Sequence, residues 1–186
     1  MTSDHIRPGW DTYFLNIAHA VSSRADCTRR KVGAVLAAAD HSIISTGYNG
    51  GPSKGLSCLK GECPRGRLTH SELPPDSPYD TGGGTCVALH AEWNVLLRAS
   101  WAQMIDATLY VTEEPCHICK SLIGGTQIAS VVWPSGRWKP GEEAALQKSM
   151  DAHPAGKKSV LFQCRWHVKG TQFRCTQTSG HSGLCY

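Results

Sequence analysis

The sequence predicts an α/β layer sandwich. Amphipathic helical runs alternate along the chain with short β-branched apolar runs. The length of 186 residues and the 40% apolar content suit one compact domain with at most a small appendage. A spanning helix needs about 20 consecutive apolar residues. The longest apolar stretches, Val32–Ala39 and Ile128–Trp133, are shorter or interrupted, so no membrane partner is expected.

From Trp10 to Val21, the residues Tyr13, Phe14, Ile17, Ala18 and Val21 recur at helical spacing, with Asp11 at the start. Val32–Ala37 and Ile43–Tyr48 are joined by the turn-like Ala39-Asp-His-Ser and read as a β-hairpin. A loop over 49–85 follows, dense in glycine and proline. It is too irregular for helix or strand and too long for an ordinary connection, so a functional or metal-held role is expected. Order returns with a helical pattern over Val87–Ser100, a strand over Ala107–Thr112, a short helix from about Cys116 to Ile123 and a strand over Ile128–Trp133. A helix from Pro140 to Met150 and an edge strand over Lys158–Gln163 complete a domain over 1–163. The segment 164–186 is rich in Cys and His and poor in large aliphatics, so it cannot bury a core unaided.

The net charge of +4 is spread without a run of like charges. That favours an anionic small molecule and argues only weakly for RNA or DNA. Met1–Trp10 holds no apolar segment of signal-peptide length, so a cytoplasmic location is expected. Nine cysteines, an odd number, then point to metal ligation rather than a disulfide framework.

The chemistry concentrates in Cys86-Val-Ala-Leu-His90-Ala-Glu92 and Glu113-Glu-Pro-Cys116-His-Ile-Cys119. Cys116 and Cys119, three apart after Pro115, share one face of a helix start, where the helix dipole favours thiolates. His90 with the two thiolates is one ligand short of a closed zinc tetrahedron, and an open position marks a catalytic rather than a structural zinc. Two thiolates already neutralise Zn²⁺, so a nearby base is needed, and Glu92 is the candidate. Residues i and i+2 do not share a helix face, so His90 and Glu92 address one metal only from a first turn.

His90, Glu92, Pro115, Cys116 and Cys119 together match the H-x-E…P-C-x-x-C pattern of zinc-dependent deaminases. With Cys27-Thr-Arg-Arg-Lys-Val-Gly-Ala-Val, Thr46-Gly-Tyr-Asn-Gly-Gly-Pro and His90-Ala-Glu-Trp-Asn, the chain resembles the cytidine deaminase-like superfamily over about residues 10–135. Within it, the chain is most similar to the deoxycytidylate (dCMP) deaminases. The resemblance implies a three-layer α/β/α sandwich around a sheet of about five strands. It implies hydrolysis of dCMP to dUMP and ammonia with catalytic Zn²⁺, Glu92 moving protons from water to N3 and the leaving amine. It also implies that Asn49 contacts the sugar or base and that Arg29, then Arg30, binds the phosphate. Arg137 stands about where those enzymes often carry tyrosine and is a further candidate for phosphate. Homo-oligomers, hexamers among them, and dCTP or dTTP effectors near Gly50 and Gly51 follow from the same resemblance.

Cys58, Cys63 and Cys86, with His70, are candidates for a second zinc that pins the long loop. In the tail, Cys164, His167, Cys175, His181 and Cys185 offer five candidates for a further structural zinc. Cys164, Cys175, His181 and Cys185 are the preferred set, and reduced packed thiols are the alternative. A zinc-bearing tail with Trp166, Phe173, Lys169 and Arg174 would suit nucleic acid, which supports a competing reading as an RNA or DNA base deaminase. A non-catalytic zinc adaptor is the third reading, and Glu92, which no structural zinc requires, speaks against it.

Overall fold

The computed structural model describes residues 7–75, 77 and 85–142. Five strands form one mixed sheet in the order β2-β1-β3-β4-β5. They are β1 (Gly33–Ala37), β2 (Ile43–Tyr48), β3 (Thr108–Val111), β4 (Ser130–Trp133) and β5 (Gly136–Trp138). β1 runs antiparallel to both β2 and β3. β3 and β4 are parallel, and β5 returns antiparallel on β4. Helix α1 (Trp10–Ser22) precedes the hairpin, α2 (Ala91–Leu96) leads into β3, and α3 (His117–Gly124) crosses from β3 to β4.

Strand alternation divides the core into two layers. Val35 and Ala37 of β1, Tyr110 of β3 and Val132 of β4 face α1, where Phe14 and Ala18 are fully buried. Ala34, Leu36, Leu109, Val111 and Val131 face the other way, onto Ala91 and Val95 of α2 and Cys119 and Ile123 of α3. β1 is buried along its whole length because helices cover both of its faces. This is the three-layer α/β/α sandwich that the sequence led us to expect.

Two glycines let the helices come close. A Cβ at Gly33 would lie 2.1 Å from the Ala18 carbonyl of α1, and one at Gly47 would lie 2.3 Å from the Ala91 carbonyl of α2. Hydrogen bonds complete the seating of α2: Ser45 Oγ donates to the Val95 carbonyl at 3.0 Å and Asn94 Nδ2 to the Tyr48 carbonyl at 2.9 Å.

The elements differ from the sequence expectation in three places. The helix expected over Val87–Ser100 is limited to Ala91–Leu96, because Leu89 is held extended by a two-bond bridge to Gly50. Strand β1 starts at Gly33 because Val32 is bonded on both sides to Asn49. A hairpin through Pro134 and Ser135 adds β5, which the sequence reading did not foresee. The strand expected at Lys158–Gln163 and most of the helix expected from Pro140 lie outside the described residues.

Candidate active site

Both helix starts that carry the expected metal ligands converge on one point. His90 is the N-cap of α2 and Cys116 the N-cap of α3, each extended at ψ 156 and 167. In each case the carbonyl of the cap accepts the first helical bond, from Asn94 and Lys120 respectively. Glu92 therefore lies in the first turn of α2 and Cys119 in the first turn of α3. From that first turn, two residues only two apart in sequence reach one site.

The potential ligand atoms of His90, Cys116 and Cys119 all lie within 4.8 Å of one another, the one such group among the described residues. His90 Nδ1 is 3.2 Å from Cys119 Sγ and 3.6 Å from Cys116 Sγ. Tetrahedral zinc with bonds of about 2.0 Å to nitrogen and 2.3 Å to sulfur separates such ligands by about 3.5 Å. The donor set thus fits Zn²⁺ in both chemistry and spacing, with Nδ1 the imidazole nitrogen that faces both thiols. The Trp93 ring stacks on the imidazole with centroids 5.1 Å apart.

Burial lowers the His90 pKa, which keeps the imidazole neutral and its lone pair available. Burial raises the Cys119 pKa, and the nearby Glu92 and Cys116 raise it further, so a bound divalent cation would be needed to hold this thiol as a thiolate. Glu92 is 4% exposed. Burial raises its pKa, opposed by its own backbone N–H and by the Cys119 thiol, to which it is hydrogen-bonded. A desolvated carboxyl beside the metal ligands is suited to accept and return a proton.

His90, Glu92 and Cys116 line a cavity of about 410 Å³, a size that suits a small ligand. Its wall also includes Arg29, Arg30, Asn49, Arg65, His70 and Glu113. Asn49, 9% exposed, is a backbone clamp: Oδ1 accepts from Val32 N–H at 2.8 Å, and Nδ2 donates to the Arg30 carbonyl at 2.8 Å. Its amide retains a second N–H and a second lone pair for a ligand. Arg29 holds the long loop, donating to the carbonyls of Leu68 at 3.0 Å, Leu73 at 2.6 Å and Pro74 at 3.4 Å. It also lines the cavity. Arg137 is not brought to the cavity. It pairs with Asp11 of α1 at 2.7 Å and donates to Ser130, across the sheet edge.

The described part of the long loop is stapled from outside. The Asp26 carboxylate accepts from Ser57 Oγ at 2.7 Å, Cys58 N–H at 2.8 Å and Gly51 N–H at 3.3 Å. Cys58, Cys63 and Cys86 meet along the cavity wall, with Cys63 hydrogen-bonded to the other two thiols. Cys27, missed as a candidate ligand, lines the same wall and acts on the charge of Cys58. Burial raises the Cys58 pKa, and its three thiol neighbours add to this. Burial also opposes the Cys63 thiolate, but N–H groups of Val87 and Gly66 and the two thiols outweigh it, so that pKa is lowered. His70 lines the cavity but is exposed. Sequence reasoning also missed Arg65, a buried cation in the wall. The tail candidates Cys164, His167, Cys175, His181 and Cys185 lie outside the described residues. No helix among the described residues is long and apolar enough to cross a membrane.

A family model of the cytidine and deoxycytidylate deaminase zinc-binding region matches residues 8–135. The deoxycytidylate deaminase of Mycobacterium phage D29 is 48% identical over 128 residues, which cover 69% of this chain and 96% of that one. The deoxycytidylate deaminase of Saccharomyces cerevisiae is 37% identical over 134 residues, which cover 69% of this chain and 38% of that longer one. Among solved structures, dCMP deaminase from the cyanophage S-TIM5 in apo form aligns with TM-score 0.47 and 23% identity over 69% of this chain and 84% of that one. With its zinc-ligand triad and buried glutamate inside the matched region, the chain belongs to the cytidine and deoxycytidylate deaminase zinc-binding family.

Proposed function

We propose that this chain is a zinc-dependent hydrolase that converts dCMP and water to dUMP and ammonia. The observation that carries this reading is Glu92, a buried carboxyl in the cavity wall, hydrogen-bonded to Cys119 of the His90, Cys116 and Cys119 set. When bound by these three residues, zinc supplies Lewis-acid activation of water near neutral pH. Glu92 takes the proton of the attacking water, delivers it to N3 of the pyrimidine, and carries the second proton to the amine leaving C4. Burial raises its pKa, which makes the carboxylate a stronger base toward the water whose proton it then passes on. Asn49 orients the sugar or base from the cavity wall. The relative at 48% identity, named deoxycytidylate deaminase and matched over 96% of its length, supports this substrate.

The same proposal sets the catalytic domain at 1–163, in the cytoplasm. It includes a structural zinc on Cys58, Cys63, Cys86 and His70, supported by the contacts of Cys63 with the other two thiols, with Cys27, which acts on the charge of Cys58, as an alternative to His70. It also includes self-association, supported by Leu97, Trp101 and Ile105, which are 74%, 58% and 53% exposed. For dCTP or dTTP effectors, a second hollow lined by Gly50, Gly51, Ser53 and Arg98 is the candidate place.

The test is ultraviolet-monitored deamination of dCMP, CMP, deoxycytidine, dCTP and short oligonucleotides by the zinc-loaded protein. Fastest turnover of dCMP is expected. Turnover of oligonucleotides alone would replace this reading with the base-deaminase one, and no turnover of any of them would favour the adaptor.

A further inference from the structure

We propose that Trp93 is a positioning residue that fixes the ring plane of His90 and so strengthens the hold of His90, Cys116 and Cys119 on zinc. This rests on reading those three residues as the zinc ligands. The main chain at His90 is fixed on both sides, because Leu89 is bridged to Gly50 and the His90 carbonyl accepts from Asn94. The side chain is not fixed in the same way. As N-cap of α2, His90 makes no side-chain cap hydrogen bond, so χ1 and χ2 are set by contacts of the ring itself. Cys119, by contrast, is fully buried in the first turn of α3.

A metal bound at an imidazole nitrogen lies in the plane of the ring, along the lone pair. Tilting the ring therefore swings that lone pair away from the two thiols, which stand 3.2 and 3.6 Å from Nδ1. Trp93 follows His90 by three residues, the spacing at which helical side chains meet. Its ring lies on the imidazole with centroids 5.1 Å apart and an interplanar angle of 18°. One flat face laid on another resists tilt.

The indole is itself held. It packs against the core cluster that contains Ala91, Val95 and Cys119, and Cys116 packs on the same cluster. The imidazole plane and the two sulfurs thus share one mount. Trp93 Nε1 is buried without a hydrogen-bond partner, a loss of stability that a phenylalanine would avoid. What the indole adds is a larger and more electron-rich face. An imidazole bound to a divalent cation is electron-poor, so the stack strengthens when metal binds, and by linkage the metal is held more tightly by the same factor. His90 lines the cavity and Trp93 does not, so a change at Trp93 reaches the metal and leaves the cavity wall in place.

The experiment compares zinc-loaded wild type, Trp93→Leu and Trp93→Phe for zinc retained per chain against a graded competing chelator. Cys116→Ser identifies the equivalent that belongs to this site, and thermal unfolding of the metal-free proteins measures packing separately. Trp93→Leu, which keeps apolar bulk and loses the flat face, should release that zinc at a roughly 10-fold lower chelator concentration, within the range for partners that orient a metal ligand. Trp93→Phe should stay within about threefold of wild type, while the two metal-free variants melt alike. Wild-type retention in Trp93→Leu, or equal loss in both variants, would overturn the proposal. A second measurement does not depend on the leucine variant folding: zinc added to metal-free wild type should change the tryptophan fluorescence, and most of that change should be missing in Trp93→Phe. An undiminished response would also overturn the proposal. Wild type that retains no more zinc than Cys116→Ser would overturn the ligand reading beneath it, before any Trp93 variant is compared.

Discussion

Replacing Gly47 with alanine is expected to unseat α2 from the sheet and carry the active site with it. The new Cβ would lie 2.3 Å from the Ala91 carbonyl oxygen, 2.7 Å from the Val95 nitrogen and 3.0 Å from Asn94 Cβ. Ordinary contact begins near 3.4 Å, so the start of α2 must retreat by about 1 Å. All of the nearest atoms belong to α2, and the two closest are backbone, so no side-chain rotation relieves the clash. Overpacking of this kind costs about 1–3 kcal/mol, and each kcal/mol moves Tm by about 2–4 °C in a domain of this size. His90 and Glu92 sit at the displaced helix start, where a shift of about 1 Å is worth roughly 100-fold in rate. Thermal unfolding by circular dichroism and dCMP turnover on the same sample measure both effects. Gly124→Ala is the control, since nothing lies within 4 Å of its Cβ position. If Gly47→Ala melted with wild type and kept most of its activity, close seating of α2 would not be what positions the site.

Three further outcomes follow from the hydrogen bonds. Arg29→Ala should free the carbonyls of Leu68, Leu73 and Pro74, and hydrogen exchange should show faster exchange across 68–74 with a raised KM. Unchanged protection there would show that Arg29 is no brace. Arg137→Ala should leave dCMP kinetics within about twofold and cost under about 1 kcal/mol, because its pair with Asp11 is half exposed on both sides. A large rise in KM for dCMP would restore Arg137 to the phosphate. Burial, then Asp11, raises the pKa of Tyr110 above its ordinary 10.0. The stability this gives is whole below that value and is lost as pH rises through the folded value. Tm should therefore decline above pH 10 more in wild type than in Tyr110→Phe, and equal slopes would contradict the linkage.

Much of this was legible in the sequence because local signals and tertiary structure agree. The α1 periodicity, the hairpin, and Pro115 ahead of Cys116-x-x-Cys119 each declare a local geometry that packing then preserves. The need for His90 and Glu92 to act from a first turn follows from helix geometry alone, and the extended N-cap at His90 meets it. The misses arise where distant partners decide. Leu89 leaves its apparent helix because Gly50, far earlier in the chain, offers a bridge. Arg29 carries the Cys-x-Arg motif, but its bonds to carbonyls of a loop about 40 residues later have no local signal in the sequence. Arg65 gives no periodic or motif signal. Only burial in the folded loop sets it apart from the other arginines. Cys27 sits in a quoted motif, but its nearness to Cys58 depends on Asp26 gathering the loop beside it.

The central claim is that Glu92 performs proton transfer beside a zinc held by His90, Cys116 and Cys119. The most direct measurement compares wild type with Glu92→Gln for zinc content and for dCMP turnover in the same preparations. The account predicts equal zinc, near one equivalent at the catalytic ligands, with kcat lowered by roughly 10²-fold or more in the variant. Full dCMP turnover by a zinc-loaded Glu92→Gln protein would contradict it.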